Sequence, residues 1–593
     1  MHGRISKLAH SIPAVVAFAL LGAPPDALAC GGTFCDRPPA GQPAMPVDQS
    51  GENILFVMAN GHVEAHIQIQ YTGDPARFAW LVPVPAVPKV AVGSQQLFVN
   101  LLNATVPTFA VTSSFEVCGT GGDRVSTSGC AFGGASDSSN SVAAFGGDGG
   151  ARNRTDEQPT DVAVGHQAVG AFDVTILQSK SAADVLAWLD ANGFLYDGDA
   201  LPILEDYVSR GHVFVALKLQ PGAGVNEIHP LVIDYPGTEP CIPLMLTRVA
   251  ATEDMAVRAF FLGDRRVSPL SYREVTPNPL RFDWANLGAN YVSVISRAVD
   301  EPGADGHAFV TEYAGPSSAV QATGLSDPRW NSDRFRGLAP EAVIGELGRE
   351  GLVSCPTSLG CVALHPLVLP IVHQYLPAPA GMDESQFYSC LSCFKDRIDQ
   401  AAWDGDAFAA ALEERVIAPG KHAAELLATS RYATRLFTTI SPFEMTEDPT
   451  FVEAPLSAPP VRAARTATID QACNGDVALK VPGRPDAVMV NGASPAFSSD
   501  MPYALTVEAH DPLPIAGDPS VVEDSSGAID DQVQTWNRAS GFPRPAAPGR
   551  TRDTLSCGCV LGGGPANPGH AVALALGLGA LRRVFRRRER AAR

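Results

Sequence analysis

Apolar and polar positions alternate most clearly between Asn53 and Pro85. In GHVEAHIQIQY (61–71), Val63, Ala65, Ile67, Ile69 and Tyr71 fall on one face and His62, Glu64, His66, Gln68 and Gln70 on the other. A period of two is that of a half-buried strand. The apolar run FAWLVPVPAVP (78–88) carries Pro83, Pro85 and Pro88, which confine it to a sheet edge or to the exit from a sheet. The pattern then predicts a helix over 95–104 and strands over 108–117 and 172–177. Ser181 followed by Asp184 marks a capped helix start, with Val185, Leu186 and Leu189 as its apolar stripe. A helix over 200–209 leads into a strand over 212–219, and two or three strands follow through Phe261. Helices are expected over 289–299, 340–348, 383–398 and 402–428, and a strand over 307–315. Beyond 450 only short β-like runs stand out, such as 487–490 and 503–507. Strands with interspersed helices and no internal repeat read as an α+β fold, β-rich and disulfide-stabilised.

Composition adds location rather than chemistry. The chain has 593 residues and a net charge of −20, with 43 basic and 63 acidic side chains. Residues 1–29 carry +1 and residues 560–593 carry +6, so the body between them stands near −27. Such a body repels phosphate backbones, which excludes nucleic acid as a natural partner. Residues 1–29 have the form of a signal peptide: Arg4 and Lys7, an apolar stretch over 12–21, and a small-x-small site ending at Ala29. The tail (557–593) joins Cys557 and Cys559 to a short apolar run and an arginine cluster, an anchor or sorting segment that would hold the protein at a membrane. Between the ends, residues 30–450 read as an ectodomain with a Gly/Ser-rich insertion at 119–160. Residues 451–556 read as a Pro/Asp-rich β-like region ending in a linker. Export and sorting machinery are the implied partners.

Ten cysteines remain once Cys557 and Cys559 are set aside, an even number suited to an oxidising compartment. Sequence neighbours suggest the pairs Cys30–Cys35, Cys118–Cys130, Cys355–Cys361 and Cys390–Cys393, leaving Cys241 and Cys473 to each other. Three chemistries are candidates. His62, Glu64 and His66 share a strand face, and imidazole and carboxylate suit zinc or copper if another strand adds a ligand. The same three side chains equally suit a solvated polar face. Cys390-x-x-Cys393 has redox spacing but no preceding βαβ unit, so a structural disulfide accounts for it as well. Ser392-x-x-Lys395 lacks the companion motifs of acyl-serine enzymes. Trp80, Trp188 and Trp284 sit in apolar contexts expected to fill cores. No complete catalytic motif is present, and no cofactor is implied.

Long motifs nevertheless accumulate in order: ACGGTFCD (29–36), HIQIQYTGD (66–74), FAWLVPVP (78–85) and GAFDVTIL (170–177). They continue with LEDYVSRGHVFVALKLQPGAGV (204–225), IHPLVIDYPGTEPCIPLMLTRVAAT (228–252), HAFVTEYAG (307–315) and RYATRLFTTISPFEMTEDPTF (431–451). Over about 30–475 this series resembles the bacterial domain of unknown function 2330 family. The tail resembles the myxobacterial sorting domain, which implies processing at Cys557 or Cys559 and retention at the cell surface. The family resemblance implies a secreted or surface-associated protein with paired cysteines and assigns no catalytic residue. The expectation is an exported, envelope-held protein with a binding or structural role. The alternatives are a metal-dependent hydrolase using His62, Glu64 and His66, or an envelope thiol–disulfide protein using Cys390 and Cys393.

Overall fold

The computed structural model describes residues 33–36, 48–72, 78–116, 162–195, 200–220, 228–355, 361–511, 517–542 and 554–557. Its largest sheet has ten strands. In chain order these are β1 (Asp48–Ala59), β2 (His62–Thr72), β3 (Lys89–Val92), β4 (Leu231–Pro236) and β5 (Ala251–Gly263). They continue as β6 (Arg273–Pro277), β7 (Ala308–Pro316), β8 (Tyr432–Ile440), β9 (Ala504–Ala509) and β10 (Ser520–Asp524). The spatial order is β10-β9-β6-β7-β8-β5-β1-β2-β4-β3. Only the β5–β1 and β6–β7 pairs are parallel.

The expected alternation of β2 is realised. β1 and β2 form a hairpin in which Ala59 faces His62 across the two-residue turn Asn60-Gly61. Both turn residues have positive φ (54° and 76°), the geometry of a primed turn that asparagine and glycine adopt most readily. Val63, Ala65 and Ile67 then point into the main core beside Ile54 and Phe56 of β1.

That core is shared with a second, antiparallel sheet. Its strand order is Ala163–Val169, Phe172–Leu177, Val213–Leu219, Phe78–Val84, Thr33–Asp36 and Phe194–Leu195. Trp80, Val82, Val174 and Val215 from this sheet face β1 and β2, so the two sheets form a sandwich. The Pro-bearing strand Phe78–Val84 is not at an edge. It pairs with Val213–Leu219 on one side and Thr33–Asp36 on the other, and Pro83 stands opposite Phe214 near its end. The sandwich is covered on both outer faces. Helices Ala182–Ala191 and Ala200–Ser209 cover the second sheet. Helix α1 (Gln95–Thr105) and helix α2 (Ala418–Thr429) cover the first. Ser181 caps its helix as expected, its Oγ accepting from the Asp184 N–H at 3.4 Å.

Residues 330–417 supply a separate helical core, including Phe335, Leu347, Ile371, Phe387 and Phe408. Cys355–Cys361 and Cys390–Cys393 are both disulfides within this module. The Cys241–Cys473 pairing is corrected. Cys241 is a free thiol, bridged through its backbone to Thr450, whereas Cys473 is disulfide-bonded elsewhere, beside Glu116 of the strand Thr108–Glu116. The chain carries these two cysteines to different parts of the fold, Cys241 to an isolated bridge with Thr450 and Cys473 to the turn after Ala464–Gln471. The pairs suggested for Cys30, Cys35, Cys118 and Cys130 lie outside the described side chains, as do the leader, the 119–160 insertion and the tail beyond Cys557.

Residues beyond 450 do not form a sheet of their own. β9 and β10 extend the large sheet, and Ala464–Gln471 pairs in parallel with Thr108–Glu116 in a five-stranded sheet. The end of the expected 540–556 linker and the first residue of the expected tail, together Thr554–Cys557, join that sheet. Among the described residues no helix is long and apolar enough to cross a membrane.

Candidate metal centre

The polar face of β2 lies on the α2 side of the sheet. α2 is the last part of a continuous helical run: Gly405–Leu412, a π-helical stretch Glu413–Ile417, then Ala418–Thr429. Asp404 caps its start, its carboxylate accepting from the Asp406 and Ala407 N–H groups. Pro419 cannot donate to the preceding turn, and the wider π stretch ahead of it accommodates that loss. Ala423, Leu426 and Leu427 bury against Leu55, Val57, Leu97 and Phe260, fixing the helix on the sheet. Gly420 lets it come close: a Cβ there would lie 1.9 Å from the Leu325 carbonyl oxygen.

This docking aims His422 at β2. Glu64 Oε1 lies 2.6 Å from His66 Nε2 and 2.6 Å from His422 Nε2. The two imidazoles are nearly parallel, with ring centres 6.1 Å apart. One ligand atom from each of the three residues lies within 4.8 Å of the other two. His66 is buried, whereas the side chains of Glu64 and His422 are 21% and 44% exposed, so the group opens to solvent on the helix side. A tetrahedral zinc site holds its donors about 3.3 Å apart, so each hydrogen bond would open by roughly 0.7 Å to admit the ion. A rotamer adjustment of the half-exposed His422 can supply that.

The charges suit a cation. Burial alone would raise the Glu64 carboxyl, but hydrogen bonds from His422 and His66 outweigh it and hold the group at about 2. His422 is raised from its ordinary value, chiefly by its hydrogen bond to Glu64, so a metal ion taken up there would have to displace a proton from it. His66 Nδ1, on the side of the ring away from Glu64, is buried with no hydrogen-bond partner among the described residues, so the outer contact that usually orients a ligating imidazole is not present there.

Of the three residues expected from sequence, the structure unites two. His62 shares the face but sits beside the hairpin turn, where Asp234 of β4 holds its Nδ1 at 2.9 Å. The extra ligand comes from a helix 358 residues away, not from a strand. A lone histidine in an Ala-rich helical stretch carries no local signal of that role.

Two other clusters of buried polar groups are held by structural contacts. Glu274 is held at about 2 despite burial by His510, Arg266 and Thr311, tying the β9 end to β6. At the seam of the sandwich, Asp448 accepts from the Tyr207 hydroxyl at 2.7 Å and from the Met245 N–H at 2.9 Å. Burial nevertheless raises it to about 6. With His212 and Cys241 it lines a cavity of about 30 Å³, room for roughly two waters. The Cys241 thiol is pushed up by burial, which makes it unreactive. Trp80 and Trp284 are core residues as expected, and Trp188 is half-buried against Phe194.

Residues 24–324 match the profile of a family described as an uncharacterized protein conserved in bacteria, DUF2330. The chain belongs to this family. No curated protein and no solved structure shows a significant match to it. The DUF2330 match includes Glu64 and His66 but ends before the helical module and His422. It also stops short of the 431–451 motif, so the resemblance over 30–475 is shown for its first two thirds. The candidate centre of this DUF2330 protein therefore joins the matched region to one beyond it.

Proposed function

We propose that this protein is an exported, envelope-held binding protein whose ectodomain takes up a divalent transition ion, zinc or copper, through Glu64, His66 and His422. The convergence of two imidazoles and a carboxylate from a strand and a distant helix carries this reading. Two histidines and one carboxylate are donors these ions accept, and the solvent side leaves room for a fourth. The disulfides Cys355–Cys361 and Cys390–Cys393 support residence in an oxidising compartment. The leader ending at Ala29 supports export. The tail with Cys557, Cys559 and its arginine cluster supports retention at the envelope, in the manner of a sorting domain. The donor set also favours a second reading, a zinc hydrolase, because two histidines and a glutamate with water in the fourth position occur in hydrolytic centres. Ester or peptide hydrolysis by the zinc-loaded protein would decide for it.

Calorimetric titration of the purified protein with zinc tests the binding claim. One site is expected. His422→Ala and His66→Ala should each weaken it about 100-fold or more, since loss of even an outer partner typically costs 10–100-fold. His62→Ala should leave affinity within about twofold. Absence of heat in the wild type would refute metal binding, and equal weakening by His62→Ala would refute this ligand assignment.

A further inference from the structure

The helical module contains two disulfides in unlike settings. Cys355 and Cys361 are half-buried and pack against the module's core, and Cys361 Sγ lies 3.3 Å from the Tyr388 carbonyl. Cys390–Cys393 stands apart from that core. Cys393 is exposed and Cys390 only half-buried.

The second bridge is a weak structural constraint. It joins residues three apart, and constraint of the unfolded chain grows with loop length. The backbone around it is already ordered: Asp383 caps helix Glu384–Ser389, and a 3₁₀ helix runs over Leu391–Arg397. Its geometry instead suits chemistry at sulfur. Cys393 is open to an incoming thiolate, and the Ser392 hydroxyl lies 3.6 Å from Cys390 Sγ, placed to donate to that sulfur as it leaves.

We infer that Cys390–Cys393 is an exchangeable disulfide that accepts two electrons from a dithiol. One thiolate of the dithiol attacks Cys393 Sγ, the Cys390–Cys393 bond breaks, and Cys390 leaves as a thiolate that takes up a proton. The donor's second thiolate then attacks its own sulfur in the mixed disulfide and releases Cys393. The donor ends as a disulfide, and both cysteines end as thiols carrying the equivalent of the donor's two protons. Exposure sets the choice of attacked sulfur, and the packing of Cys355–Cys361 keeps that bond out of the exchange. This activity is independent of the metal centre.

The test exposes the native full-length protein at neutral pH to dithiothreitol or, in parallel, to a thioredoxin-type dithiol protein. Free thiols are then trapped by alkylation and located by peptide mass spectrometry. Reduction of Cys390–Cys393 at least tenfold faster than Cys355–Cys361, with unchanged circular dichroism, is the expected result. Reaction with both reagents would support a protein donor, and reaction with dithiothreitol alone would support a small dithiol. A Cys390→Ser/Cys393→Ser double variant should lose the fast-reacting pair and leave the Cys355–Cys361 rate unchanged. Equal rates for the two disulfides, or reduction only in denaturant, would overturn the inference.

Discussion

Gly420→Ala is expected to destabilise the protein by about 3 kcal/mol and to weaken zinc binding at least tenfold. The new methyl group would sit 1.9 Å from the Leu325 carbonyl oxygen, a backbone atom that cannot rotate away. Overpacking typically costs about 1–3 kcal/mol, and a contact this short belongs at the upper end. The helix must lift from the loop around Leu325, and His422 moves with it, two residues further along. Gly345→Ala is the control. It lies within the helix Val343–Glu350 with nothing inside 4 Å of an added Cβ, so alanine should be neutral or stabilise by about 0.5–1 kcal/mol. Urea unfolding followed by tryptophan fluorescence, with zinc titration of each variant, measures both effects. Wild-type stability and affinity in Gly420→Ala would contradict the proposed docking of α2.

Acid should weaken the fold well above the usual carboxylate range. His229 and His365 are buried and held neutral, each lowered by desolvation from 6.5 to about 4. His229 already uses both nitrogens, one toward the Pro230 carbonyl and one toward the Ala171 N–H. Between pH 6.5 and 4 the unfolded chain takes up protons at these histidines that the folded chain refuses. Stability is therefore complete above 6.5 and lost on the way down, by about 3 kcal/mol per histidine at 1.36 kcal/mol per unit. Asp448 acts oppositely. Raised by burial from 3.8 to about 6, it returns about 3 kcal/mol as the pH falls through that window. Asp300 is raised in the same direction by burial and Glu444, but its exposure lets solvent screen the effect. Glu64 and Glu274, held near 2, begin to lose their contribution only below 4.5.

The histidines win, and a net loss of about 3 kcal/mol between pH 7 and 4 is expected. His365→Asn can still accept the Leu367 N–H that His365 Nδ1 accepts at 3.2 Å, without titrating. It should remove about 3 kcal/mol of that loss. Urea unfolding at several pH values checks this, and an unchanged pH slope in His365→Asn would contradict it.

What could be read from the sequence was local. Period-two alternation placed β2 and its buried Val63, Ala65 and Ile67, and Ser181 with Asp184 placed a helix start. Helix Ser526–Ala539 was missed although Ile529 and Val533, its buried residues, stand four apart. The short stripe lies in a Pro- and Asp-rich region, where composition outweighed it. The candidate centre was half legible for a different reason. Strand parity puts Glu64 and His66 side by side, but it treats His62 identically. His62 is distinguished by its side-chain hydrogen bond to Asp234, which stands opposite Glu64 and diagonal to His62, and that placement depends on register between distant segments. His422 enters through the docking of α2, which depends on Gly420 and Leu325, and nothing in the neighbouring sequence encodes that meeting. The expected Cys241–Cys473 pair differs for the same reason, because counting cysteines does not reveal which part of the fold each one reaches.

Anomalous diffraction at the zinc edge, from crystals grown with zinc, tests the central claim most directly. A peak about 2.0–2.2 Å from His66 Nε2, His422 Nε2 and a Glu64 carboxylate oxygen is expected. Ordered density for these three side chains with no peak between them, or a peak at His62 and Asp234 instead, would contradict it.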